Sequence, residues 1–139
     1  MKCSIMRIVF LAVVLIFMGC NRILAGELIQ ENNEMIIRVS EIEVYPEYLG
    51  EYLGFAKEVA KKSIESEKDV ISIYPMVVIK DNTQIKILEI YRTKEAYEKH
   101  IASPHFKKYK ESTLHMVKNL NLIDTYQLCP DNFNKIFKK

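Results

Sequence analysis

Hydrophobic side chains recur along this chain with two different periods, and the switches between them mark its elements. From Met35 to Val44 the chain is rich in Ile and Val, which is strand composition. Ile37 and Val39 share one face of that strand, whereas Ile42 and Val44 share the other, so a bulge is expected near Ser40. Tyr45-Pro46 then opens a helix, with Pro46 at the tolerated first position. Leu49, Leu53, Ala56, Ala60 and Ile64 follow at helical spacing, and Tyr52, Val59 and Ser63 widen the stripe. Gly50 and Gly54 weaken this helix by about 1 kcal/mol each relative to Ala, and suggest the close approach of a neighbouring strand.

Asp69 to Ile79 reads as a second strand interrupted at Pro75, a residue that belongs at a sheet edge or a bulge. Asp81-Asn82 is a turn signal, and Gln84 to Arg92 forms a third strand paired with the second as an antiparallel hairpin. Thr93 can cap a helix. Ser103-Pro104 restarts the chain into another helical stretch reaching about Lys118, and Asn121 to Cys129 forms the last strand before Pro130. The order strand, helix, strand, strand, helix, strand is the α+β, ferredoxin-like split βαβ arrangement, with helices on one face of an antiparallel sheet.

The first residues do not belong to that pattern. Lys2 and Arg7 precede an unbroken apolar run from Ile8 to Met18, closed by Gly19-Cys20. A positive start, a short apolar run and a small-residue end describe a secretory signal. The run is well short of the ~20 apolar residues of a permanent membrane helix. Phe17-Met18-Gly19-Cys20 is similar to a lipobox, with Cys20 as lipid acceptor and new first residue. Cleavage after Ala25 or Gly26 is the other reading. The expected organisation is a signal segment over residues 1–26, a spacer over 27–34, a domain over 35–129 and a tail over 130–139. The protein is thus read as an exported bacterial protein, either a membrane-anchored lipoprotein or a periplasmic or secreted one.

Charge changes the picture once the signal is set aside. The whole chain has 20 Lys+Arg and 18 Asp+Glu, net +2, but residues 1–26 hold three of the basic residues and no acid. The remainder is net −1, without the clustered excess of basic residues that a nucleic-acid binder shows. Outside Cys3 and Cys20 the only cysteine is Cys129, so the domain has no disulfide and must be held by its core. Four scattered glycines give no phosphate-binding loop, so no flavin or nicotinamide is expected. His100, His105 and His115 show no i,i+4 pair, and no metal site is expected.

The stretch Leu88-Glu89-Ile90-Tyr91-Arg92-Thr93-Lys94-Glu95-Ala96-Tyr97-Glu98-Lys99-His100-Ile101-Ala102-Ser103-Pro104-His105-Phe106 resembles the signature of antibiotic biosynthesis monooxygenase domains. There a strand ending in Glu-x-aromatic leads through an acidic, Ala-containing turn to a His. A corner of small residue, Pro, His and aromatic follows. The resemblance implies a dimeric α/β-barrel type of assembly, with open sheet faces packed together and a pocket between each sheet and its helices. The functions it implies are several: cofactor-free oxidation of quinols or related aromatics, haem degradation, isomerisation of small sugar-derived signals, and binding without catalysis. Haem-degrading relatives carry a His where this chain has Lys110, and favour Trp where it has Tyr91. An ammonium group is a poor iron ligand at neutral pH, so that branch is set aside.

Four residues are candidates for the chemistry. His100 and His105 match histidines of the family pattern, and a neutral imidazole can take a proton from a quinol near pH 7. Otherwise His105 caps a helix and His100 bonds a carbonyl. Glu89, at the end of an apolar strand row, is a pocket acid, an orienter of a His, or a structural acid satisfied by its neighbours. Tyr91 lines the pocket, donates a phenolic proton or packs in the core. The sequence is read as that of a cofactor-independent monooxygenase acting on a small quinol-like aromatic at the cell envelope. A non-catalytic ligand-binding module and an isomerase are the alternatives. A homodimer is expected as well, because strand residues such as Ile37, Val39, Tyr74, Leu88 and Ile90 make both faces of the sheet apolar.

Overall fold

The computed structural model describes residues 35–137. The signal segment expected over 1–26, with Cys20, and the spacer over 27–34 lie outside the described residues. Four strands form one antiparallel sheet: β1 (Ile36–Val44), β2 (Val70–Val78), β3 (Asp81–Tyr91) and β4 (Val117–Thr125), in the order β2-β3-β1-β4. Helix α1 (Leu49–Ser66), entered through a 3₁₀ turn at Pro46–Tyr48, joins β1 to β2. Helices α2 (Lys94–Ala102) and α3 (Pro104–Thr113) join β3 to β4, and a short α4 (Phe133–Ile136) lies in the tail. This is the ferredoxin-like α+β fold expected from the order of elements.

Register decides which side chains meet the helices. Ile42 pairs with Ile85, Ser40 with Ile87, Arg38 with Glu89 and Ile36 with Tyr91, so these eight share one face. Tyr52 and Ala56 of α1 pack on that face against Ile42, Val44, Ile85, Ile87 and Met116, and the group is buried. A second buried group joins Val70, Tyr91 and Ala96, tying α2 to the sheet. Its centre, Tyr91, is 1% exposed.

Several expectations are corrected. No bulge interrupts β1 at Ser40; the pairing with β4 shifts instead between Glu43 and Val44. Ser40 is buried in an unbroken alternation, because the face that looked irregular is a regular row holding two polar members, Arg38 and Ser40. Pro75 does not break β2. It pairs opposite Ile87 in a strand whose other edge has no neighbour in the sheet, so its missing N–H costs no ladder bond. A register shift between Val70 and Ser72 puts Val70 in the helix-facing core and sets Ile73 beside it.

The row of α1 that is buried runs through Tyr52, Ala56, Val59, Ala60 and Ser63, while Leu49, Leu53 and Ile64 flank it. A Cβ built on Gly50 or Gly54 would meet nothing within 4 Å, so neither glycine serves a close strand approach. The helical stretch after Ser103 ends at Thr113 and not near Lys118, and β4 starts at Val117 and stops at Thr125. The cause lies in β1. Tyr45 N–H bonds Met116 carbonyl at 2.9 Å, pairing begins at Val44↔Val117, and it ends at Ile37↔Thr125, where β1 has almost run out. Cys129, just beyond, is an exposed free thiol.

Candidate active site

The corner between α2 and α3 is set by Ser103-Pro104. The residue before a proline is pushed out of helical geometry, and Ser103 is extended at φ −66°, ψ 148°. It ends α2 and begins α3, its side chain accepting the Phe106 N–H at 3.3 Å while Pro104 takes the first turn. Thr93 caps α2 in the same way, accepting from Ala96 N–H at 3.2 Å. This corner places His100 in the last turn of α2 and His105 in the first turn of α3.

The two histidines converge on one residue that the sequence did not single out. His100 Nδ1 lies 2.9 Å and His105 Nε2 2.6 Å from Glu67 Oε1. A carboxylate only accepts, so these bonds put the hydrogens on Nδ1 of His100 and Nε2 of His105. The same His105 nitrogen is 3.1 Å from Ser103 Oγ. All three side chains are largely buried, with 3, 13 and 16% of His100, His105 and Glu67 exposed. One signal for Glu67 existed in the sequence: an acid just past the C-terminus of α1 stands where the helix dipole disfavours it.

A cavity of about 370 Å³ opens between the sheet and the helices. Ser40, Glu89, Tyr91 and His100 line its polar part, and Ile42, Ile87, Phe106 and Tyr109 are among its apolar walls. Three of the four expected site residues therefore share it. His105 is not among the residues lining this cavity and borders a much smaller cleft beside Phe55 and Lys108. Glu89 is the hub of a small network: Ser40 Oγ donates to its Oε1, and Tyr91 OH donates to its Oε2 at 2.8 Å. The Tyr91 hydroxyl is thus already committed to Glu89. Burial, reinforced by the Glu89 charge, pushes its pKa far above the usual phenol value. It acts as a neutral donor, not as a phenolate.

Rings pack around His100. Its centroid is 5.3 Å from Tyr91 and 4.8 Å from Phe106, contacts that fix the imidazole plane. Tyr52 and Tyr109 bond each other hydroxyl to hydroxyl at 2.6 Å. Arg38, also overlooked by the sequence reading, lines the cavity. Its Nε donates to Asp124 at 2.7 Å, its Nη1 to Tyr97 OH at 3.2 Å, and its guanidinium lies 5.0 Å from the Tyr97 ring centre. The bond to Asp124 raises the Arg38 pKa further, so it is a permanent cation.

The spacing rule that argued against metal ligands considered one helix at a time, and these histidines come from two. Glu67, His100 and His105 have ligand atoms within 4.8 Å of one another, a set able to hold a metal ion in principle. Ligands at ~2.1 Å from a tetrahedral metal stand about 3.4 Å apart. The 2.6 and 2.9 Å contacts are shorter and have hydrogen-bond geometry.

The antibiotic biosynthesis monooxygenase family model matches residues 35–112, and the chain belongs to that family. A crystal structure from Bacteroides thetaiotaomicron VPI-5482, whose name places it among the same monooxygenases, is 43% identical at TM-score 0.67. The match covers 68% of this chain and 90% of that one. A Lactobacillus acidophilus NCFM protein, named as a monooxygenase, matches at 25% identity and TM-score 0.64, over 66% of this chain and 44% of its own. A Caulobacter crescentus CB15 protein named in the same family shares the fold at 18% identity and TM-score 0.62, over 68% and 92% of the two chains. A search of curated proteins returns no match. The family and these neighbours support a monooxygenase-type function.

Proposed function

We propose that the protein is a cofactor-independent monooxygenase for a small quinol-like aromatic, with His100 as the base. The observation that carries this reading is the His100–Glu67 hydrogen bond at the wall of the cavity. With its hydrogen on Nδ1, His100 keeps its lone pair on Nε2. Glu67 orients the ring and stabilises the imidazolium that forms when Nε2 takes a proton. The rings around His100 hold that geometry, and the apolar walls desolvate the reacting oxygen.

The chemistry balances without a further reductant. His100 removes a proton from the quinol hydroxyl, and the resulting anion passes an electron to oxygen. Recombination forms a carbon–oxygen bond, and the hydroperoxide loses water with return of the proton. A quinol and one O₂ thus give a hydroxyquinone and one H₂O. Tyr91 and Ser40, both bonded to Glu89, line the wall of this pocket. His105 acts through Glu67 and positions His100.

Two further parts of the reading concern assembly. Ile37 and Val39 are half-buried and Tyr74, Met76 and Ile123 are exposed on the face away from the helices, which fits a second copy packed there. Lipid attachment at Cys20 would hold the domain beside the membrane quinol pool. The test is oxygen consumption by the purified protein with 1,4-dihydroxynaphthalene. Uptake above the autoxidation rate, saturating with quinol, is expected. Absence of both uptake and quinol binding would leave a binding or isomerase role instead.

A further inference from the structure

The rim of the cavity carries charge that the oxidation itself does not use. Lys110, near the end of α3, and Lys118, on β4, line the cavity together with Leu114, Leu120 and Leu122. Lys118 is engaged by Glu43 at 2.6 Å, and Arg38 by Asp124. Lys110 is exposed and makes no ion pair among the described residues. A lysine at the mouth of an apolar cavity, without an anion of its own, offers a charge to whatever enters. Glu89, the one acidic residue lining the cavity among the described residues, stands with His100 and Tyr91 at the buried end, where it would repel a second anion.

From this polarity we infer that the substrate of the proposed site is an aromatic acid: a hydroxylated ring with a carboxylate on its far side. The hydroxyl points to His100, and the carboxylate sits at the mouth beside Lys110, with Lys118 as a weaker second partner. The inference rests on the quinol-like reading of the pocket, but it makes a separate claim, about binding alone. Lys110 and these leucines are exposed, so the attraction is that of a surface pair and weakens with salt.

The experiment is fluorescence titration of the full-length protein with 6-hydroxy-2-naphthoate and with 2-naphthol, which lacks the carboxylate. The acid is expected to bind about tenfold more tightly than the neutral compound, a preference that shrinks in high salt. Lys110→Met should weaken the acid about fivefold and leave 2-naphthol unchanged. Lys107→Met, on the same helix but outside the cavity lining, should change neither and controls for surface charge. Equal binding of the two compounds, or an acid preference that stays near tenfold in Lys110→Met, overturns the inference, as does failure of both compounds to bind. Selective binding of the acid without oxygen uptake supports the inference while defeating the oxidase reading, so the two fail separately.

Discussion

His100 and Glu67, 33 positions apart, meet at 2.9 Å because α1 ends where the α2–α3 corner turns. The same carboxylate oxygen receives His105 at 2.6 Å. One acid therefore fixes the tautomer of both rings, and only His100 of the two lines the larger cavity.

Glu67→Gln replaces an acceptor that serves two N–H donors with an amide that can present a donor to them. A fall in kcat on the order of 10²-fold or more is expected. A loss of about 1–3 kcal/mol of stability from poorly satisfied buried groups should accompany it. His105→Ala should lower stability similarly, and lower kcat less than His100→Ala does. Steady-state kinetics and urea unfolding on the three variants read both effects. Equal kcat losses for the two histidine variants would contradict the assigned division of roles.

Tyr52, Tyr91 and Tyr109 have phenols pushed above the ordinary value, with burial the largest cause in each. The folded state thus keeps protons that the unfolded chain releases near pH 10. Their contribution to stability is complete below that pH and is lost as pH rises above it. Urea midpoints should be flat in this respect up to about pH 9 and fall from pH 10 upward. Tyr52→Phe should shallow that fall. An unchanged alkaline slope would show that Tyr52 is not the protonated, buried group described.

The order of elements and the Ser103-Pro104 corner were legible because each has a local cause, periodicity and capping; the hairpin was legible as well, but its turn falls at Ile79-Lys80, with Val78 paired to Asp81, and not at Asp81-Asn82. The cavity was legible only in part. Glu89, Tyr91 and His100 lie in one recognisable stretch, so the chain carries them as a motif. Glu67 and Arg38 were missed because their roles depend on contacts 33 and 86 positions away. Ser40 was misread for a related reason. A polar residue in a strand looks like a break in alternation, until Glu89 on the paired strand supplies its partner. The end of the second helical segment was missed because β1, not the local sequence, sets where β4 begins.

A second copy on the open sheet face predicts a dimer by light scattering of purified protein at micromolar concentration. Burying several large side chains contributes about 1.5–3 kcal/mol each, against association costs of about 4–15 kcal/mol. Val39→Lys, which puts a charge in that face, should shift the species to monomer. A monomeric parent protein would defeat the dimer.

Export is read out by mass spectrometry of the mature N-terminus in cells. A start at lipid-modified Cys20 is expected, together with fractionation to the membrane. A free start at Gly26 or Glu27 would remove the anchor and, with it, the proposed proximity to membrane quinols.

Oxygen uptake under ¹⁸O₂, with mass analysis of the product, reads out whether His100 starts oxygen chemistry on a quinol. With 1,4-dihydroxynaphthalene, uptake of one O₂ per quinol and one ¹⁸O atom in the hydroxyquinone product are expected. His100→Gln should return the rate to the enzyme-free background while quinol binding persists. Wild-type protein at background rate, or His100→Gln at full rate, would contradict it.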